Sequence, residues 1–164
     1  MRKVCLFATH HQFQFDSPMD SAFDGHLRKL IRDHKVNCIL EEATNLPPKS
    51  CVELLADEFG VTWANIDLTV EQRKITPDSA PTGKYETLQD LTLHSTREKA
   101  WAKKISETVV HSGLVIVGLC HLLSMGEKLR ALDIDVEAHA YDSHRIYDWK
   151  KMRPRVAPHP TNPK

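Results

Sequence analysis

The sequence predicts an α/β fold, a single domain whose largely parallel sheet of about five strands is flanked by helices. Three observations predict it. Short apolar runs such as Val4 to Ala8 and Val115 to Val117 are continuous, as in strands covered on both faces. Between such runs lie longer stretches whose apolar residues recur at helical spacing. The strand-like and helix-like segments alternate, which implies parallel strands joined by right-handed crossovers.

Val4 to Ala8 is the first strand, followed by Thr9-His10-His11-Gln12. Ser17 or Asp20 is placed to cap a helix in which Phe23, Leu27, Leu30 and Ile31 share one face. Val36 to Leu40 is the second strand, closed by Glu41-Glu42. After Pro47-Pro48, a second helical face of Val52, Leu55, Ala56 and Phe59 stops at Gly60. Val61 to Leu68 is a third, less apolar strand with Asp67 near its end. Residues 74–84, with Pro77, Pro81 and Gly83, read as a loop placed to cover the strand ends.

A long helical pattern runs from about Tyr85 to His111 and carries Leu88, Leu91, Trp101, Ile105 and Val109. The fourth strand ends at Gly118, His121 follows, and Leu122, Met125, Leu129 and Leu132 resume helical spacing at once. Ile134 to Ala140 alternates apolar with polar residues, which predicts an edge strand with one wet face. Such an edge makes a homodimer by sheet extension available. The domain covers 1–148, and residues 149–164 form a proline-rich basic tail.

Basic and acidic residues balance at 22 each, so charge gives no reason to expect nucleic acid or an anionic membrane. No apolar run approaches the ~20 residues of a membrane span. The apolar part of the N-terminus is too short for a signal peptide. The four cysteines lack CxxC spacing and read as reduced, structural cysteines of a cytoplasmic protein. Glycine-rich dinucleotide and phosphate-loop fingerprints are absent.

The C-terminal ends of parallel strands share one rim, where open sheets collect ligands. To that rim the sequence brings His10 or His11, Glu41 or Glu42, Asp67 and His121, with His139 near the end of the fifth strand. Neighbouring residues of an extended chain face opposite ways, so one of each adjacent pair belongs to the site. Neutral imidazole with carboxylate is the ligand chemistry of catalytic zinc, manganese, iron or cobalt. Such an ion lowers the pKa of a bound water, with Glu42 or Asp67 as general base or as the partner orienting a histidine. Cys120 beside His121 reads as a core cysteine, because sequence neighbours seldom have the geometry of nucleophile and base. Arg73 and Arg97 lie in or near the long helical segment, and Arg97 is the better site candidate. His26, His34, His94, His111, His144 and His159 read as surface residues.

Five segments, in order, resemble the TraB/PrgY/GumN/Tiki superfamily. Ala8-Thr9-His10-His11 is similar to its GTxH motif, with alanine for glycine, and Ile39-Leu40-Glu41-Glu42 to its glutamate strand. Ile66-Asp67 resembles its aspartate strand, and Arg97 to Ile105 its arginine-bearing helix. Val115 to Leu122 resembles its GxxH segment. The resemblance spans most of residues 4 to 140. It implies His11 and His121 as paired histidines, Glu41 as the family's glutamate, and Arg97 as an anion or transition-state partner.

The expected function is a metal-dependent hydrolase of the peptidase or esterase type, acting on a peptide or small-molecule substrate. A divalent Mn, Zn or Co ion would be bound by His11, His121 and Glu41, with Glu41, Glu42 and Arg97 in catalysis. Two other readings use the same rim. One is a non-catalytic protein binding a peptide, anionic metabolite or haem. The other is a metal-independent His/Glu esterase, suggested by erythromycin esterase-like members of the wider clan.

Overall fold

The computed structural model describes residues 1–15, 19–43, 49–68, 88–142 and 145–148, with the backbone alone for 88–95, 142 and 145–148. The strands are β1 (Lys3–Thr9), β2 (Cys38–Glu41), β3 (Thr62–Asn65), β4 (Ser112–Gly118), β5 (Asp135–Asp142) and β6 (Arg145–Asp148). The helices are α1 (His11–Phe15), α2 (Ser21–Asp33), α3 (Cys51–Phe59), α4 (Leu88–Thr108) and α5 (Leu122–Arg130). All belong to one α/β sheet with the order β3-β2-β4-β1-β5-β6. Strands β1 to β5 are parallel, and β6 is antiparallel to β5.

Helices cover both faces, and the pleat decides which residues meet which layer. Cys5, Phe7, Ile39, Leu114 and Ile116 pack with Phe23, Leu27 and Leu30 of α2 and Val52, Leu55 and Ala56 of α3. Val4, Leu6, Leu40, Val115 and Val117 pack with Trp101 and Ile105 of α4 and Met125 and Leu129 of α5. β1, β2 and β4 are buried on both sides because each side has a helix against it. Asp20 caps α2 by accepting from the Ala22 and Phe23 amides at 3.1 and 2.9 Å. Ser50 caps α3, and Gly60 ends it at φ 65°, a conformation that costs a glycine little.

The chain runs outward from β1 to β2 and β3, then returns to insert β4 between β2 and β1. The helices after β1 and β2 lie on one face, and the helix after β4 lies on the other. β4 is thus flanked on both sides by strands whose exits turn the opposite way. The switch point of this sheet lies at the C-terminal ends of β1, β4 and β2.

Two expectations change. Ile134 to Ala140 does not lie at the edge, because β5 pairs with β1 on one side and β6 on the other. Its alternation arises because Val136, Ala138 and Ala140 enter the core under α5, while Asp135 and Glu137 on the other face are exposed. The argument for a homodimer through that strand falls with the edge. The third strand is also shorter than expected and ends at Asn65, which places Asp67 just past it. Arg73, the loop 74–84, His144, His159 and the tail 149–164 lie outside the described residues. Among those described, no helix is long and apolar enough to cross a membrane.

Candidate functional site

The first histidine is positioned by a single helical turn. β1 ends at Thr9 and α1 starts at His11, so Gln14 lies one turn on, on the same side. His11 Nδ1 and Gln14 Oε1 are 2.6 Å apart. The Gln14 amide nitrogen donates to Glu41 Oε1 at 2.8 Å and to the Glu42 carbonyl at 3.2 Å, which fixes its oxygen toward the imidazole. In the neutral His11 ring this contact selects the tautomer with the proton on Nδ1 and the lone pair on Nε2. That Nε2 lies 3.8 Å from Glu42 Oε1. His10 faces elsewhere, exposed, with its ring 6.4 Å from that of Phe13.

The two glutamates part at the end of β2. Glu41 is buried on the α2/α3 face, where its Oε2 accepts from Ser50 Oγ at 2.6 Å and Trp63 Nε1 at 2.8 Å. Burial pushes its carboxyl upward, against the pull of the bonds from Ser50, Trp63 and Gln14. Glu42 turns to the other side. Its Oε2 accepts the Gly118 amide at 2.9 Å and its Oε1 accepts Arg97 Nη2 at 3.2 Å. The carboxylate between the histidines is therefore that of Glu42. Glu41 reaches His11 only through Gln14.

His121 closes a short 3-10 turn, Leu119–His121, between β4 and α5. It is buried, its ring edge-on to Trp101 with centroids 4.9 Å apart. Nδ1 donates to Glu98 Oε1 at 2.8 Å, and Nε2 lies 3.7 Å from Glu42 Oε1. Glu98 also accepts from Ser124 Oγ and, at 2.8 Å, from Lys128 Nζ. Burial opposes a charged His121, but its bonds to Cys120 and Glu98 and the Glu42 carboxylate outweigh that and push it up to about 10. Burial likewise opposes an ionised Glu98, yet the bonds from His121, Lys128 and Ser124 hold it down at about 2.

Arg97 joins two rim carboxylates, reaching Glu42 Oε1 at 3.2 Å and Asp67 Oδ1 at 3.0 Å. Its guanidinium lies over the Trp101 ring at 4.8 Å. Asp67 is held in turn by Asn65, whose side-chain oxygen accepts the Asp67 amide at 2.8 Å.

The space between these groups exists because residue 118 is glycine. A Cβ there would lie 3.1 Å from His11 Nε2, 3.5 Å from Glu42 Oε2 and 3.6 Å from His121 Cδ2. The donor set suits a divalent ion: two imidazole Nε2 atoms and a carboxylate, with both Nδ1 atoms already bonded to outer acceptors. The three do not close tightly on one another. Among the described residues, the three donors all within 4.8 Å of one another are those of Cys5, His34 and His139. His139 is thus not at the rim; it lies mid-strand, in register with Phe7, and bonds Glu137 at 3.2 Å.

Of the residues expected at the rim, His11, Glu42, Asp67, Arg97 and His121 come together. Gln14 and Glu98, which orient the two imidazoles, were not foreseen. Glu98 had left a sign: it lies three, four and seven residues before Trp101, Ala102 and Ile105, an acid on the apolar stripe of α4. Gln14 had left none, because α1 is too short for periodicity.

Fold and site define a class, the α/β proteins with a polar cluster at the switch point of a parallel sheet. No protein-family model matches the chain, nor does any curated protein or solved structure with which it was compared.

Proposed function

We propose that the chain is a hydrolase acting on a peptide or ester bond, with His11, His121 and Glu42 holding a divalent Mn, Zn or Co ion. One observation carries the reading: two imidazoles have their Nδ1 atoms bonded and turn their Nε2 atoms toward the same carboxylate. When bound, such an ion supplies Lewis acidity and a water acidic enough to attack near neutral pH. Glu42, the carboxylate shared by the two imidazoles, would lie beside such a water and accept its proton. Arg97, next to Glu42, is the cation placed to stabilise an oxyanion on the substrate. Asp67 orients Arg97, and Glu41 orients His11 through Gln14. His11, with 46% of its side chain exposed, is the histidine that substrate meets first.

A second reading, the metal-independent esterase, rests on a different observation. His121, flanked by Glu98 and Glu42, holds a proton strongly, and Arg97 already faces Glu42. In that chemistry His11 activates water directly and His121 with Arg97 forms the oxyanion site.

The deciding experiment is metal content by plasma mass spectrometry on untagged protein, wild type beside His11→Ala and Glu42→Gln. The first reading expects wild type to carry one divalent ion more per chain than either variant. Equal metal uptake by wild type and both variants after incubation with manganese, zinc and cobalt, with ester hydrolysis that persists in chelator, refutes it and favours the second.

A further inference from the structure

A second group of donors lies away from the rim, near the N-terminal ends of β1 and β5. Cys5 and Glu137 are register partners on those strands, and His139 lies two residues on, on the same face. His34 caps the C-terminus of α2, which runs antiparallel to the strands and so ends beside them. Ring nitrogens of His34 and His139 and Cys5 Sγ lie within 4.8 Å of one another. Glu137 Oε1 lies 3.2 Å from His139 Nε2 and 4.0 Å from His34 Nε2. The group borders a cavity of about 170 Å³ that Lys3, Ser112 and Asp135 also line.

We propose that Cys5, His34 and His139 form a zinc site separate from the rim, with Glu137, bonded to His139, swinging in as fourth donor. One sulfur and two imidazoles is a soft-to-borderline set that suits Zn²⁺ over Mg²⁺ or Ca²⁺. Tetrahedral zinc holds such donors roughly 3.3–3.8 Å apart, so the group closes on the ion through small side-chain movements. The thiol gives its proton to solvent and binds as thiolate, while the imidazoles bind neutral. A further, half-buried imidazole adjoins the group. His26 packs edge-on against His139 at 5.8 Å, and its Nε2 has no hydrogen-bond partner among the described residues. Burial, then His139 and Lys29, favour its neutral form. With four protein donors from β1, β5 and the turn after α2, the site is closed to substrate and its role is to tie those elements.

Cobalt is the probe, because thiolate ligation gives a near-ultraviolet charge-transfer band that imidazole and carboxylate do not. Full-length wild type titrated with Co²⁺ is expected to develop that band, displaced by Zn²⁺. The band should persist in Cys120→Ser and His11→Ala, vanish in Cys5→Ala, and require at least tenfold more cobalt in His139→Gln. His139 is half-buried, so its variant tests the site if Cys5→Ala fails to fold. Absence of the band in wild type, its survival in Cys5→Ala, its loss in Cys120→Ser, or an unchanged titration in His139→Gln overturns the proposal.

Discussion

His121 Nδ1 meets Glu98 Oε1 at 2.8 Å with both side chains buried, and this pair sets the direction in which the second rim imidazole points. Glu98 does so from a face of α4 otherwise committed to the core. Its cost of burial is offset by Lys128 and Ser124 from α5. The pair is therefore a structural clasp between α4 and the β4–α5 turn as well as a device for orienting His121.

That clasp predicts a pH dependence of stability. Glu98 is held down at about 2 from an ordinary 4.5, so its contribution is complete above pH 4.5 and is lost as pH falls through 2. His121 is pushed up to about 10 from 6.5, so its contribution is complete below pH 6.5 and is lost as pH rises through 10. Urea midpoints should be highest between those ordinary values and fall on both sides. Glu98→Gln should lose about 2–4 kcal/mol and flatten both limbs. Parallel pH profiles for wild type and Glu98→Gln would contradict this.

Gly118→Ala separates site from fold. The position has φ −63°, which alanine adopts freely, so backbone strain is absent. The added methyl instead presses on His11 Nε2, the far end of a half-exposed side chain. A stability change within about 1 kcal/mol is expected, together with loss of metal binding and hydrolysis. Comparable activity in Gly118→Ala would show that the gap is not used.

Gln14→Leu removes the acceptor that fixes the His11 tautomer and leaves Glu41 without one of its donors. Loss of such an outer partner typically costs ~10–100-fold in metal affinity. The check is a competition titration of metal against a chromophoric chelator, compared with Gln14→Glu, which keeps an acceptor toward His11. Equal affinities in wild type and Gln14→Leu would refute a positioning role.

Arg97→Lys retains charge but cannot span two carboxylates in the same planar way. If Arg97 stabilises an oxyanion, this variant should lower kcat ~100-fold or more while KM changes little. A rise in KM alone would make Arg97 a substrate-binding residue instead.

Much of the fold was legible because strands covered on both faces leave continuous apolar runs and helices leave stripes. The edge was misread at β5 because a partly uncovered face and a true edge produce the same alternation, and Arg145–Asp148, four residues with Ile146 and Tyr147 between two charges, is too short to show a period. The rim was legible as a set of strand ends. The choice between Glu41 and Glu42 was not, because it depends on where β2 stops being pleated. Asp67 joined the site through Arg97, a contact between residues 30 apart in the chain that spacing alone does not reveal. His34 and His139, read as a surface residue and a rim candidate, meet only because α2 ends where β5 begins to rise.

The late insertion of β4 has a consequence for how the chain acquires its shape. Lys3 pairs with Ser112 and Thr9 with Gly118, so the most central strand contact joins residues far apart in the chain. During translation β1 and β2 exist before the strand that must separate them, and β1 gains β4 and β5 only after α4 has been made. Such non-local pairing gives a high contact order and slow folding. Gly118 and His121 arrive with β4 and the turn after it, so a chain that stops before β4 holds His11, Glu42, Asp67 and Arg97 without the second imidazole.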